Sequence, residues 1–150
     1  MAIEALSIGT LLDLALRGAC VVVDRLDAIH RNANPADLAL RELLAKLKTQ
    51  QRDHVQVLEQ FRDRLRPGTL DERPLPRTLE GDFPSLDKKL GEGPLDRDFA
   101  LYFVELLEEE ASRFYRRLAD EAPAEEVRLF LQQMALSEWG DLEHLRSVLL

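Results

Sequence analysis

Cysteine is almost missing from this chain, with Cys20 standing alone. An internal disulfide is thereby excluded, and so is a thiolate cage for a metal. Glycine and proline are scarce, seven of each, and most of them fall in one segment. A β-sandwich needs turn residues spread evenly along the chain, so this distribution argues for an all-α protein. Basic residues are outnumbered, 20 Lys and Arg against 28 Asp and Glu, for a net charge of −8. Phosphate binding needs clustered Lys and Arg, so nucleic acid is not an expected partner. No apolar run approaches the ~18 uninterrupted residues of a membrane span, so no membrane association is expected. The apolar N-terminus, MAIEALSIGTLLDLALRGACVVV, lacks a basic leading region and carries Glu4 and Asp13, unlike a signal peptide. The expectation is a cytoplasmic protein.

What the chain does have is helical periodicity. Its 150 residues, 45% of them apolar, suffice for one domain with a real core, taken as 1–150. Ile8, Leu12, Ala15, Ala19, Val22, Leu26 and Ile29 form the stripe of a first helix over about 7–31. Asn32-Ala-Asn-Pro35 ends it, and a second helix over about 35–65 stops at Pro67-Gly68. Residues 66–95 hold five of the prolines, with only Ser85–Leu90 able to make a short helical turn. A connection of roughly 30 residues is long enough to cross the ~40 Å length of a helix of this size. It is read as a crossover. Phe103, Leu107, Ala111, Phe114 and Leu118 mark a third helix over about 96–121, and a fourth fills about 123–150 after Ala122-Pro123.

The fourth helix carries an anomaly. Leu131, Met134, Leu145 and Val148 form its apolar stripe, yet the middle of that stripe is Glu138 and Asp141. Burying a charge is costly unless something pairs with it. Alone, the interruption would be dismissed as chance, but it recurs 87 residues earlier: Leu44, Leu47, Gln51, His54, Leu58 and Phe61 match apolar for apolar and polar for polar. Residues three apart share a helical face, so each pair could grip one object. The first and third helices also align, at a shift of 92, carrying Ala19 onto Ala111 and Arg25-Leu26 onto Arg117-Leu118. The chain is thus read as two related hairpins forming a four-helix bundle.

Two hairpins, a long middle connection and inward polar pairs on helices two and four resemble the rubrerythrin branch of the ferritin-like superfamily. Glu108-Glu-Glu-Ala-Ser-Arg-Phe114-Tyr115 resembles that family's Glu helix with its Phe-Tyr, while Gln51-Arg-Asp-His54 and Glu138-Trp-Gly-Asp141 fall where its two Glu-x-x-His motifs stand. The resemblance implies a ferritin-like bundle holding two irons between Glu residues on helices one and three and Glu-x-x-His motifs on helices two and four. This sequence departs from that pattern. Leu16 is the helix-one counterpart of Glu108, Gln51 replaces a Glu, and Asp141 replaces a His. With at most three carboxylates, a single divalent ion, iron or another, is expected in place of a complete di-iron centre.

The expected metal ligands are His54, Glu108, Glu138 and Asp141, with Gln51 at the rim or bound through water. Asp13, Glu105 and His144 are reserve candidates, and Arg17 or Arg113 could neutralise the carboxylates in a metal's place. The function implied by the resemblance is iron handling or peroxide and oxygen chemistry, an oxidoreductase of peroxidase or ferroxidase type if active. A single cysteine leaves no paired-Cys electron-transfer domain, so an external reductant is implied. The competing reading is a metal-free scaffold, with Gln51 and His54 merely hydrogen-bonded between helices. A homodimer through Val21 and Val23 on helix one is expected, because Val21-Val22-Val23 cannot all face one core. Cys20 is read as a small core or interface residue, His30 as surface, and Trp139-Gly140 as a place of close packing or an interface where the large ring meets a neighbour.

Overall fold

A computed structural model of the chain describes residues 8–65, 83 and 93–149, with side chains to 147. Among the described residues the helices are α1 (Ile8–Asn32), α2 (Leu38–Arg64), α3 (Arg97–Asp120) and α4 (Glu125–Leu149). No strand occurs among the described residues; Ala33 and Leu95 form an isolated bridge. The protein is an all-α four-helix bundle. The helical turn expected at Ser85–Leu90 and most of the crossover lie outside the described residues, as does the side chain of Val148.

Chain direction follows from a few contacts. Leu95 N–H donates to Asn32 O at 2.7 Å, and Asn34 N–H donates to Leu95 O at 3.1 Å, so α3 begins where α1 ends. Arg97 grips the Asp37 carboxylate with Nε at 2.8 Å and Nη2 at 2.6 Å, placing the starts of α2 and α3 at the same end. The chain therefore leaves α2 at the far end and must return the bundle's length before α3, as a crossover does. Packing joins α1 to α2, α3 to α4 and α1 to α3. Phe61 of α2 stacks on Phe130 of α4, ring centroids 3.9 Å apart. Since Gln51 of α2 meets Glu138 of α4, this pair of helices is antiparallel too.

Helix α2 starts later than the expected Pro35. The Asn34 side chain accepts from Ala36 N–H at 3.0 Å, holding Pro35 in a turn, and Asp37 caps the helix by accepting from Leu40 N–H at 3.1 Å. A carboxylate able to satisfy an orphan N–H outcompetes proline as the start. Asp96 caps α3 in the same way, accepting from Phe99 N–H at 2.8 Å.

The structure also places Cys20, the Val21 and Val23 pair, and His30. Cys20 is exposed, so of its two readings, core or interface, the core one does not hold. Val21 and Val23 are half-buried, Val21 against the core, while large exposed apolar side chains occur on α2, α3 and α4. His30 is also half-buried, its Nδ1 3.1 Å from Lys48 Nζ; burial, then the Lys48 and Arg41 charges, push its pKa down.

The close approach of α1 and α3 is made possible by Gly18. A Cβ built there would lie 2.3 Å from Phe114 Cε1. Phe83 packs edge-on to the same ring, centroids 5.3 Å apart, so the ring has little room to retreat. Gly18→Ala is therefore expected to destabilise the fold by about 1–3 kcal/mol through overpacking, despite alanine's better helix propensity. Urea denaturation measures this.

Candidate metal centre

The apolar stripes of α2 and α4 meet across one seam. Leu44, Leu47, Leu58 and Phe61 are buried on α2, and Leu131, Met134 and Leu145 on α4. At mid-height the periodicity delivers Gln51 and Glu138 into the core, 1% and 0% exposed. His54 and Asp141 stand one turn on, at the edge of the seam, with side chains 13% and 22% exposed. Gln51 is thus among the most deeply buried polar groups here, not at the rim, because position 51 lies in the centre of the α2 stripe and position 54 at its side.

Glu138 is held from across the seam by two donors. Gln51 Nε2 donates to Oε2 at 2.8 Å. His54 Nδ1 lies 2.8 Å from Oε1, and the carboxylate can only accept. The other ring nitrogen, Nε2, is 3.1 Å from Ser137 Oγ and 3.8 Å from Asp141 Oδ2. Burial alone would lower the His54 pKa; the hydrogen bond to Glu138 and the charges of Glu138 and Asp141 outweigh it and raise the pKa. One ligand atom each from His54, Glu138 and Asp141 lies within 4.8 Å of the others, a group that could hold a metal ion.

Glu108, on α3, is outside this three-residue group but feels the charges of Glu138 and Asp141. It is 0% exposed and neither carboxyl oxygen has a hydrogen-bond partner. Burial, then the charges of Glu138 and Asp141, push its pKa up to about 9. Burial and Glu138 raise Asp141 as well. Gln51 Oε1, Asp141 Oδ2 and the Tyr115 hydroxyl are further buried atoms without partners. With Gln51 Nε2 turned to Glu138, the other end of that amide is necessarily an oxygen. The oxygens of Gln51, Glu108 and Asp141 share the lack of a hydrogen-bond partner, although Asp141 Oδ2 has His54 Nε2 3.8 Å away.

The remaining candidates stand elsewhere. Asp13 is ion-paired with Arg62 at 3.5 Å, and Glu105 with Arg146 at 3.6 Å, each partly exposed. His144 is exposed. Arg113 cannot neutralise the centre, since it is exposed and binds Glu110 at 2.8 Å and Glu109 at 2.9 Å on the outside of α3. Arg17 is exposed as well. Helix α1 supplies Leu16 as the counterpart of Glu108, packed against the core. The donor set therefore fits one cation better than two: a pair of divalent ions would leave more positive charge than these carboxylates balance. Sequence reasoning assigned no role to Ser137, although it precedes Asp141 by one helical turn and so shares its flank. Tyr115 was legible only as part of a family pattern; burial, then Glu138 and Cys20, raise its pKa.

No protein-family model matches the chain, and no curated protein does. A solved structure, a hypothetical protein from Pyrococcus furiosus, is similar to it with a TM-score of 0.59. The two are 19% identical over 95% of this chain and 87% of that one. At that identity the likeness concerns the fold alone.

The Glu108 shift has a direct consequence for the metal-free protein. Its folded pKa, about 9, exceeds its ordinary value of 4.5, so the folded chain keeps a proton that the unfolded chain gives up. Stability from this group is complete below pH 4.5 and is lost as pH rises toward 9. Glu108→Gln removes the penalty while keeping the shape. With chelator present, the variant is expected to be more stable than the parent by about 1–3 kcal/mol at neutral pH. The gain should vanish near pH 4 in urea titrations.

Proposed function

We propose that this chain is a ferritin-like bundle of the rubrerythrin type that binds a single divalent metal ion, iron the expected one, in its core. The observation that supports this reading most is the set of buried, unpartnered acceptor oxygens on Gln51, Glu108 and Asp141 beside the His54–Glu138 pair. Unsatisfied buried acceptors are costly, and a cation relieves several at once. His54, Glu108, Glu138 and Asp141 would hold the ion, with the Gln51 oxygen as a neutral fifth donor. Imidazole with carboxylate and amide oxygens suits iron, manganese or zinc and not a thiophilic metal.

Bound there, the ion would supply a Lewis-acidic centre, and iron a one-electron redox couple as well. The side chains have separate tasks. Without an ion, Gln51 and His54 hold the two oxygens of Glu138 from α2, and Ser137 lies at the other nitrogen of His54; to ligate, His54 would give up one of its two hydrogen bonds. Glu108 holds its proton until a cation replaces it, so metal uptake releases a proton. His54 and Asp141, the partly exposed members, mark the edge through which a small oxidant or an incoming ion would pass. Iron handling, or peroxide and oxygen chemistry driven by an external reductant, is the activity this reading carries, in a cytoplasmic protein. No helix among the described residues is long and apolar enough to cross a membrane.

The second reading, a metal-free scaffold, rests on the His54–Glu138 hydrogen bond, which satisfies the deepest charge without an ion. Elemental analysis of protein purified without chelator separates the two. The metal reading expects up to one ion per chain, absent from a His54→Ala, Glu138→Ala double variant. Saturating ferrous or zinc ion at ~100 times Kd should also stabilise the parent by about 2.7 kcal/mol, and leave the variant unchanged. No metal in either protein, with no thermal shift, supports the scaffold.

A further inference from the structure

Ser137, His54 and Glu138 form a chain of hydrogen bonds that needs no ion. Ser137 Oγ lies 3.1 Å from His54 Nε2, and His54 Nδ1 lies 2.8 Å from Glu138 Oε1. Both distances fall in the range of about 2.6–3.2 Å expected of a nucleophile on its base and of a base on the group that orients it. The chain runs in one direction. A carboxylate only accepts, so Nδ1 carries the proton, and the neutral ring offers Nε2 as acceptor to the serine O–H. Other exposed hydroxyls behave differently. Thr49 and Ser147 donate to carbonyls of their own helices, at 3.1 and 2.7 Å, whereas Ser137 reaches across to α2.

Burial grades along the chain in the order the roles require. Ser137 is exposed among the described residues, His54 stands at the edge of the seam and Glu138 is fully buried. A nucleophile has to meet its substrate, while the carboxylate that fixes the tautomer and orientation of the base is held away from water. Gln51 donates to the other Glu138 oxygen at 2.8 Å, which keeps the carboxylate from swinging off the ring. Asp141 Oδ2, 3.8 Å from Nε2, is near enough to steady the ring once it takes up the serine proton. All five side chains project from two long helices, and rigid elements hold such a constellation more closely than loops do.

We propose that the metal-free protein uses Ser137 as a nucleophile toward small esters with a good leaving group, with His54 as general base and Glu138 positioning the ring. The Oγ–acyl bond forms as the ester C–O bond breaks. The Oγ proton passes to His54 Nε2 and from there to the departing alcohol. Water, activated by the same nitrogen, then releases the acid and restores the serine. The helix sets the substrate class: backbone N–H groups around Ser137 are inside α4 and committed to its own carbonyls, so they form no oxyanion hole and the leaving group itself has to be reactive. An ion on His54 would remove the base, so the two uses of the ring exclude each other. The nucleophile does not depend on the centre ever binding metal.

A fluorophosphonate probe tests this on the full chain with chelator present. Attack on phosphorus forms an Oγ–P bond and expels fluoride, and the adduct is read by intact mass and peptide mapping. One label per chain is expected, at Ser137, with the exposed Ser147 of the same helix unlabelled. Ser137→Ala should abolish labelling and keep the full helical far-ultraviolet signal, since its side chain is exposed. His54→Gln should slow labelling ~100-fold or more, the scale of a general base. Glu138→Gln still accepts from Nδ1 but carries no charge. It should lower the maximal labelling rate about tenfold or more with the half-saturating probe concentration unchanged, whereas a loosened seam would move both. No label at Ser137, Ser147 labelled as fast, or a parental rate in His54→Gln overturns the proposal.

Discussion

Glu138 is a carboxylate with no exposed surface in the middle of a leucine-lined seam. A buried carboxylate left without partners would take up a proton or disrupt the packing around it. Here it draws Gln51 and His54 from the opposite helix to within 2.8 Å each. Removing one partner of such a buried pair typically costs about 3–5 kcal/mol. The register between α2 and α4 follows from this contact, because sliding either helix by a turn would strand the charge among leucines. The Phe61–Phe130 stack further along the same seam agrees with that register.

The chain's topology is what allows the contact. Helices α2 and α4 belong to different hairpins, and they become antiparallel neighbours only because α2 and α3 start at the same end of the bundle. The Arg97–Asp37 ion pair and the Leu95 hydrogen bonds hold that end together. Gly18 lets α3 settle closely on α1 against Phe114, and Glu108 is fully buried on the same helix, within reach of the Glu138 and Asp141 charges. Core packing and the polar centre are thus one arrangement: the stripe that buries the leucines also buries the acids.

The fold was legible because its signals are local and repeated. Apolar periodicity, the Asn34-Pro35 and Ala122-Pro123 breaks and the 87-residue repeat lead to four helices with boundaries within a few residues. The inward position of Gln51 and Glu138 could be read for the same reason, as both stand in mid-stripe. Depth could not. A helical stripe does not say which of two residues three apart is central, so Gln51 was expected at the rim and is buried instead. Surface partners were equally illegible: Arg113 was a candidate to neutralise the carboxylates, but Glu109 and Glu110, one turn away on its own helix, capture it.

The account turns on whether the acceptor oxygens around His54 and Glu138 gather on a cation. Crystals grown without chelator and soaked in manganous or ferrous ion would answer this through anomalous scattering. One peak per chain is predicted, bounded by His54, Glu108, Glu138 and Asp141 and with no second peak toward Leu16. A map with no anomalous density there, and Glu108 or Asp141 instead hydrogen-bonded to water or to each other, would contradict it.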